Sequence, residues 1–566
     1  LFFLPQEAKQ TREERLLEVK RIVVDIETDS LDATTIHCVV IKEDSKVYAY
    51  THANMSDCVK HIEAADIIVM HNGVSFDAPV LKRLLNVNIP LSKIRDTLIM
   101  SQMANPVRDG GHSLEAWGNT LGYPKIEYED FTCFSEDMLK YCVRDVEITD
   151  KVYKALLPSL KMFSPRSIKL EHQIRAVIDQ QERNGFQLNV KEAMLLMGRL
   201  SDEAEGIKAD LQNKFPPITE VRYSDKTGKR LKDKVTIFNP ASRKQIAERL
   251  SALGWEPHAY TDKGQAIVSE EVLEKVDIPE AQIVARYLLL EKRVSQIKSW
   301  IDAADDEGKV HGRVLTLRTI TGRMAHTSPN MAQIPAVYSP YGKECRDVWT
   351  TSSDGYVLLG CDASSLELRC LAHYMNDTGF TKEVVDGDVH TANQRAAGLP
   401  TRDNAKTFIY AFLYGAGPAK IGKIVNGSAK DGKKLIDTFL TNMPALKVLR
   451  NKVAKLATRG YVVGIDGRIL QIRSEHAALN TLLQGAGAII CKEWLKYIIL
   501  QASKRNLDYK LVASIHDEYQ FEVRKDHAEE FGEVTRKAMK LTEESLKVRC
   551  PLDSEYKVGK TWAETH

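Results

Sequence analysis

Asp25 and Glu27 stand two residues apart in the apolar run RIVVDIET. Side chains of a strand alternate between faces, so both carboxylates project from the same one. Two like charges side by side resist joint ionisation unless something positive neutralises them. A pair of divalent metals held by oxygen ligands is the natural counter-charge. Asp77 in HNGVSFDAP and Tyr141 with Asp145 in YCVRD can join that pair from separate points of the chain. Four acids and a tyrosine around two metals suit phosphodiester hydrolysis, in which one metal activates water and the other stabilises the leaving oxygen. Taken singly, a strand-end DxE or a helical YxxxD is more often a turn or a solvated face; only their combination points to chemistry.

A second set lies in the C-terminal half. In GCDASSLELR a strand delivers Asp362 to its end, and Ser364 or Ser365 is placed to cap the helix that follows. In TRDNAKTFIYAFLYG, Arg402, Lys406, Tyr410 and Tyr414 recur every four residues, which on a helix makes one stripe of two cations and then two aromatics. Thr401 is a suitable N-cap. Arg402 in the first turn opposes the helix dipole, a mismatch that a bound triphosphate would reverse. In IHDEYQF, His516, Asp517 and Glu518 sit at the tip of a hairpin. If the fold unites Asp362 with Asp517, they form a two-metal clamp for nucleotidyl transfer, while the basic stripe positions pyrophosphate.

The elements that must position these groups read as a multidomain α/β protein. At 566 residues the chain exceeds a single core. Residues 21–160 alternate short apolar strands with helices, and Pro158 and Pro165 bracket an expected linker. Residues 167–306 read as helical, interrupted by a polar, basic stretch at 213–236. A strand, a helical block at about 391–460 and a closing hairpin follow. The 79 basic and 77 acidic residues leave a net charge of +2, so any nucleic-acid surface must arise by local segregation. Nine scattered cysteines without a CxxC pair argue for reduced thiols and against a zinc site. No run approaches the roughly 20 apolar residues of a membrane span, and the opening LFFLP is too short for a signal-peptide core. A cytoplasmic location follows as an expectation.

DIET, HNGVSFD and YCVRD, in that order, resemble the three motifs of the DEDD exonucleases in their tyrosine variant. GCDASSLELR, TRDNAKTFIYAFLYG and IHDEYQF resemble motifs A, B and C of family A DNA polymerases. With TGRMAHTSPNMAQIP, DVHTANQ and HAALNTLLQGAGAIICK, the resemblance extends through nearly the whole chain to the replicative polymerases of bacteriophage T-seven and its relatives.

That resemblance implies a ribonuclease H-like DEDD exonuclease domain at 1–160 beside a right-hand polymerase. The thumb would occupy 161–310, the palm 311–390 and 461–566, and the fingers 391–460. It implies two Mg²⁺ ions per active site, with Mn²⁺ as a substitute. Asp25, Glu27, Asp77 and Asp145 would bind metal and Tyr141 would orient the attacking water, with Asn72 near the strand end. Asp362, the Ala363 carbonyl and Asp517 would hold the polymerase metals, with Glu518 beside them. Arg402, Lys406 and His390 would contact the triphosphate. Tyr410, Tyr414 and Glu367 would border the nucleotide, Glu367 excluding a ribose 2′-hydroxyl. Arg323, Gln484, Asn480, His516 and His476 would touch DNA.

The implied partners are primer-template DNA, deoxynucleoside triphosphates and a replisome helicase-primase, with no membrane. A single-subunit RNA polymerase shares the palm acids and a basic helix, but Glu367 and the exonuclease carboxylates point away from it. Two departures are expected. The phage relatives carry a large thumb insertion that binds thioredoxin, whereas here the corresponding region, between QERNGFQLN and IFNPAS, holds only a modest link ending in EVRYSDKTGKRLKDKVTI, so a thioredoxin clamp is not expected. A 5′-nuclease domain is not expected either, because the exonuclease motifs begin near residue 21.

Overall fold

The computed structural model describes residues 19–566. The LFFLP start, and with it the first part of the 1–160 segment, lies outside the described residues. The described residues divide into two compact units, one of residues 19–184, 313–327 and 359–557, the other of 185–312, 328–358 and 558–566.

The larger unit opens with a five-stranded sheet of β1 (Arg21–Thr28), β2 (Ile36–Glu43), β3 (Lys46–Thr51), β4 (Ile67–Met70) and β5 (Ile94–Asp96), ordered β3-β2-β1-β4-β5. β1 pairs antiparallel with β2 and parallel with β4, which makes it the central strand. Such a strand is covered on both faces, which explains its apolar run. Ile22, Val24 and Ile26 pack into one core with Val80 and Leu81 of helix α1 (Asp77–Leu85). Val23 joins the other core, with Met138, Cys142 and Val146 of helix α2 (Glu136–Leu160). By alternation Asp25 and Glu27 share Val23's face, the one α2 covers. The expected linker between Pro158 and Pro165 is shorter than the sequence suggested. α2 runs through Pro158 to Leu160, and helix α3 (Pro165–Asn184) begins at Pro165. A proline in the last turn forfeits little of the helix's bonding, and at a helix start its missing N–H is no loss.

A second sheet, most of whose residues fall in this unit, comprises β6 (Tyr356–Ala363), β7 (Tyr509–Ile515), β8 (Glu518–Arg524) and β9 (Ser554–Gly559), ordered β7-β8-β6-β9. The hairpin forms as expected, but its tip is His516 and Asp517: Glu518, expected at the tip, is the first residue of β8 and pairs with Ile515. His516 takes a left-handed φ of 57° there. The same unit carries α4 (Leu366–Met375), which packs against α7 (Ala478–Lys504), and α5 (Val389–Ala397), which packs against α6 (Arg402–Leu413). Thr401 caps α6, accepting from the Asn404 amide. The expected serine cap of α4 does not form: Ser365 holds the N-cap position at φ 51° and makes no capping bond. A left-handed residue does not have the extended backbone from which an N-cap side chain reaches back.

The smaller unit packs the long helices Val190–Lys214 and Pro279–Asp302 together beside a three-stranded sheet. Its core holds Phe186, Trp300, Trp349 and Trp562, with Phe186 and Trp349 ring centroids 5.2 Å apart. The stretch at 213–236 is more structured than a polar link: Ile218–Glu220 pairs antiparallel with Lys234–Thr236, and its side chains stay largely exposed.

Candidate active sites

The first acid cluster assembles where β1, α1 and α2 meet. Glu27 is 7%, Asp77 3% and Asp145 5% exposed, so these carboxyls have lost most of their water. Burial, then the charges of Asp77, Asp145 and Glu27, push the Asp25 carboxyl well above its usual range. Burial and Asp145 push Glu27 up to about 9. Burial chiefly pushes Asp77 up to about 7 and raises Asp145 as well. Asp145 Oδ1 is buried without a hydrogen-bond partner. Uncompensated buried carboxyls are costly, so a cation fits this donor set. Cys142 Sγ lies 3.5 Å from Asp25 Oδ2, and Asp25, Glu27 and Cys142 can offer ligand atoms within 4.8 Å of one another.

Tyr141 stands one turn before Asp145 on α2. Both touch Lys125, which the motif reading missed: its ammonium lies 2.6 Å from Asp145 Oδ2 and donates to the Tyr141 hydroxyl at 2.6 Å. Burial opposes the lysine's charge, but Asp145 and the bond to it outweigh burial and raise its pKa. The only sequence signal was YPKIEYEDF, a loop segment without periodicity. Asn72 has a left-handed φ of 63°, and the buried Asp96 accepts its amide at 3.0 Å.

The second cluster joins β6 to the β7–β8 hairpin. The Ala363 amide donates to the Asp517 carbonyl at 3.1 Å, which brings Asp362 beside the tip although the two acids stand 155 positions apart in the chain. Lost hydration, then the charges of Asp517 and Glu518, push Asp362 up to about 7. Burial raises Asp517 too, against the pull of its own backbone bond, His516 and Arg323. Glu518 is buried and accepts from the Gln520 side chain at 2.7 Å. A cavity beside the acids is lined by Arg323, Leu366, Gly487, Lys492, His516 and Asp517.

On α6 the stripe forms as its spacing requires. Arg402, Lys406 and Tyr414 are exposed, while Ala405, Phe408, Ile409, Phe412 and Leu413 are buried behind them. Tyr410 and Tyr414 stack with ring centroids 6.5 Å apart, and His390 on α5 lies 6.1 Å from Tyr410. Burial and the charges of Arg402 and Lys406 lower the His390 pKa. Arg402 bonds Asp388 at 2.7 Å, a local answer to its position in the first helical turn. Glu367 on α4 is gripped from two sides. Arg323 bonds it at 2.9 Å, and Tyr414, rather than Tyr410, donates to its two oxygens at 2.8 and 2.9 Å. Asn480 and Gln484 lie one turn apart on α7 and share a face. His476 is exposed in the short turn Glu475–Ala477 before it.

The pattern of DNA polymerase family A matches residues 220–564, and that of a 3′-5′ exonuclease matches residues 5–161. The DNA-directed DNA polymerase of Enterobacteria phage T3 is 34% identical, the match covering 96% of this chain and 100% of the relative. That of Escherichia phage T7 is also 34% identical over 96% of this chain. The T3 match spans 703 aligned positions against the 566 residues here, so the relative carries segments with no counterpart. The POL domain of Pol1 from M. smegmatis, solved in complex with DNA primer-template and dNTP, shares the fold with a TM-score of 0.80 at 17% identity, covering 100% of this chain and 99% of that one. No described helix is long and apolar enough to cross a membrane. Two acid clusters, each built from distant segments, and matches spanning nearly the whole length establish that the chain belongs to DNA polymerase family A, as a DNA-directed DNA polymerase with a 3′-5′ exonuclease domain.

Proposed function

We propose that the two clusters are separate active sites for DNA synthesis and proofreading in viral DNA replication, the first within 1–160 and the second in a palm of 311–390 and 461–566. The fingers span 391–460 and the thumb 161–310. The observation that carries this reading is the union of Asp362 and Asp517 at one hairpin tip, with Tyr410 of the basic stripe close enough to feel the Asp517 charge, while Asp25, Glu27, Asp77 and Asp145 form a cluster of their own. Magnesium, two ions per site, supplies charge stabilisation and activates the attacking oxygen when bound. Asp362, Asp517 and the Ala363 carbonyl are its ligands in the palm, with Glu518 beside them; Asp25, Glu27, Asp77 and Asp145 are its ligands in the exonuclease.

The chain's own groups do the positioning. Arg402 exchanges Asp388 for a triphosphate oxygen, and Lys406 and His390 add two more contacts. Tyr410 and Tyr414 form the wall against the incoming nucleotide. Glu367, held by Arg323 and Tyr414, fills the place of a 2′-hydroxyl and so selects deoxynucleotides. His516 meets the primer end, and Arg323, Gln484, Asn480 and His476 contact DNA. Primer-template DNA and deoxynucleoside triphosphates are the substrates, in the bacterial cytoplasm with a helicase-primase as replisome partner.

Asp517→Ala is expected to abolish primer extension and spare degradation of single strands, and Asp25→Ala to do the reverse. Either change abolishing both activities in a folded protein would overturn the two-site reading.

A further inference from the structure

Lys125 is held too firmly for an incidental surface cation. Its segment is clamped to α2: the Pro124 carbonyl accepts from Arg144 at 2.9 Å, and the Tyr123 hydroxyl donates to Glu147. Arg144 also lies over the Tyr123 ring, 4.1 Å from its centroid. Further along, Tyr128 and Phe131 pack against the Tyr141 ring at 5.7 and 5.9 Å. One loop therefore fixes both the ring of Tyr141 and the lysine that meets its hydroxyl. The Lys125 ammonium lies 4.5 Å from that ring's centroid as well as 2.6 Å from its oxygen.

The direction of this bond carries the argument. An ammonium has donors only, and a phenol has one donor and an acceptor oxygen. With Lys125 donating to its oxygen, Tyr141 must turn its own O–H toward a different acceptor. The same ammonium reaches Asp145 Oδ2, so it ties the tyrosine to the neighbouring acid in one geometry.

Building on the exonuclease reading, we propose that Lys125 is a positioning residue for the 3′-5′ exonuclease reaction, which locks Tyr141 as a hydrogen-bond donor toward the attacking water or scissile phosphate and holds Asp145 in register with it. Lys125 acts through Tyr141 and Asp145 and forms no bond that is made or broken in the reaction.

Outer partners of this kind are typically worth on the order of 10- to 100-fold in activity. Lys125→Met, which keeps the length and removes the donor, is expected to lower exonuclease kcat by that factor with little change in KM for a single-stranded oligonucleotide. Lys125→Arg should restore part of the loss. Primer extension by the same protein reports that the chain is folded. A double-mutant cycle with Tyr141→Phe is decisive: adding Lys125→Met to Tyr141→Phe should cost much less than Lys125→Met alone.

A readout independent of turnover is the ¹³Cζ resonance of Tyr141 in metal-free, tyrosine-labelled protein, assigned by its disappearance in Tyr141→Phe. It should move in Lys125→Met and move back toward the native position in Lys125→Arg. Multiplicative losses in the cycle, or an unmoved resonance, overturn the positioning role. Full exonuclease activity in Tyr141→Phe and Asp25→Ala would instead overturn the site reading on which it rests.

Discussion

Removing one buried cation should loosen the helix that lines the cavity beside Asp517. Glu171 on α3 is fully buried and accepts from Lys492 Nζ at 2.9 and 2.8 Å. It also accepts from Arg468, which in turn bonds Asp466 at 2.8 Å. The Thr316 carbonyl accepts the third ammonium proton of Lys492 at 2.8 Å. Two cations and two carboxylates thus balance in a dry interior. Lys492→Met preserves length and packing but leaves a net negative charge, two lost bonds on Glu171 and an orphaned carbonyl. Breaking a buried pair in this way costs about 3–5 kcal/mol, because the remaining charge is uncompensated. Adding Glu171→Leu restores neutrality through Arg468 and Asp466, so the double variant should regain about 1–3 kcal/mol relative to the sum of the single losses. Hydrogen exchange across α7 (Ala478–Lys504) measures the opening free energy of that helix locally. Primer extension should weaken in parallel, since Lys492 lines the same cavity as Arg323 and Asp517. A loss below about 1 kcal/mol in Lys492→Met, or strict additivity in the double variant, would refute the uncompensated-charge argument.

Two further outcomes follow from other parts of the molecule. Burial and the nearby Arg549 charge push His373 down to about 4 from an ordinary 6.5, and its neutral Nδ1 accepts the Arg549 amide at 3.0 Å. Because the folded value lies below the unfolded one, this contribution is complete above pH 6.5 and is lost as pH falls from about 6.5 toward 4, by roughly 3 kcal/mol at most. Thermal midpoints measured across that window should fall less steeply in His373→Asn, and parallel curves would remove His373 as the cause. The short hairpin at 218–236 offers thioredoxin no large insertion, so product lengths in primer extension should be the same with and without it; a large thioredoxin-dependent lengthening would contradict this.

Much of the site was legible because local periodicity is a local property. The four-residue spacing from Arg402 to Tyr414 could only make one helical stripe, and the buried residues behind it gave that stripe its direction. Period-two alternation was enough to put Asp25 and Glu27 on one face, and apolar runs around His516–Asp517 were enough to make the hairpin. Local rules also misled where context outweighed them. Pro158 ended no helix because it falls in a last turn, and Ser365 capped none because its backbone is left-handed.

By itself, then, the sequence singled out the acids, the strand that carries Asp25 and Glu27, the strand end of Asp362, the hairpin of Asp517 and the family to which the chain belongs. It gave Asp77 no element, and the structure sets it at the start of α1. Only the tertiary structure decided which groups surround those acids. Lys125 reaches Tyr141 and Asp145 from a loop with no period to betray it. Tyr414 rather than Tyr410 holds Glu367, a choice that depends on how α6 is rotated against α4. Glu171 meets Lys492 across 321 residues of chain and Arg468 across 297. The physical reason is common to all three. Periodicity fixes which way a side chain points from its own element, whereas the partner it meets depends on how distant elements pack, and packing is settled by the whole core at once.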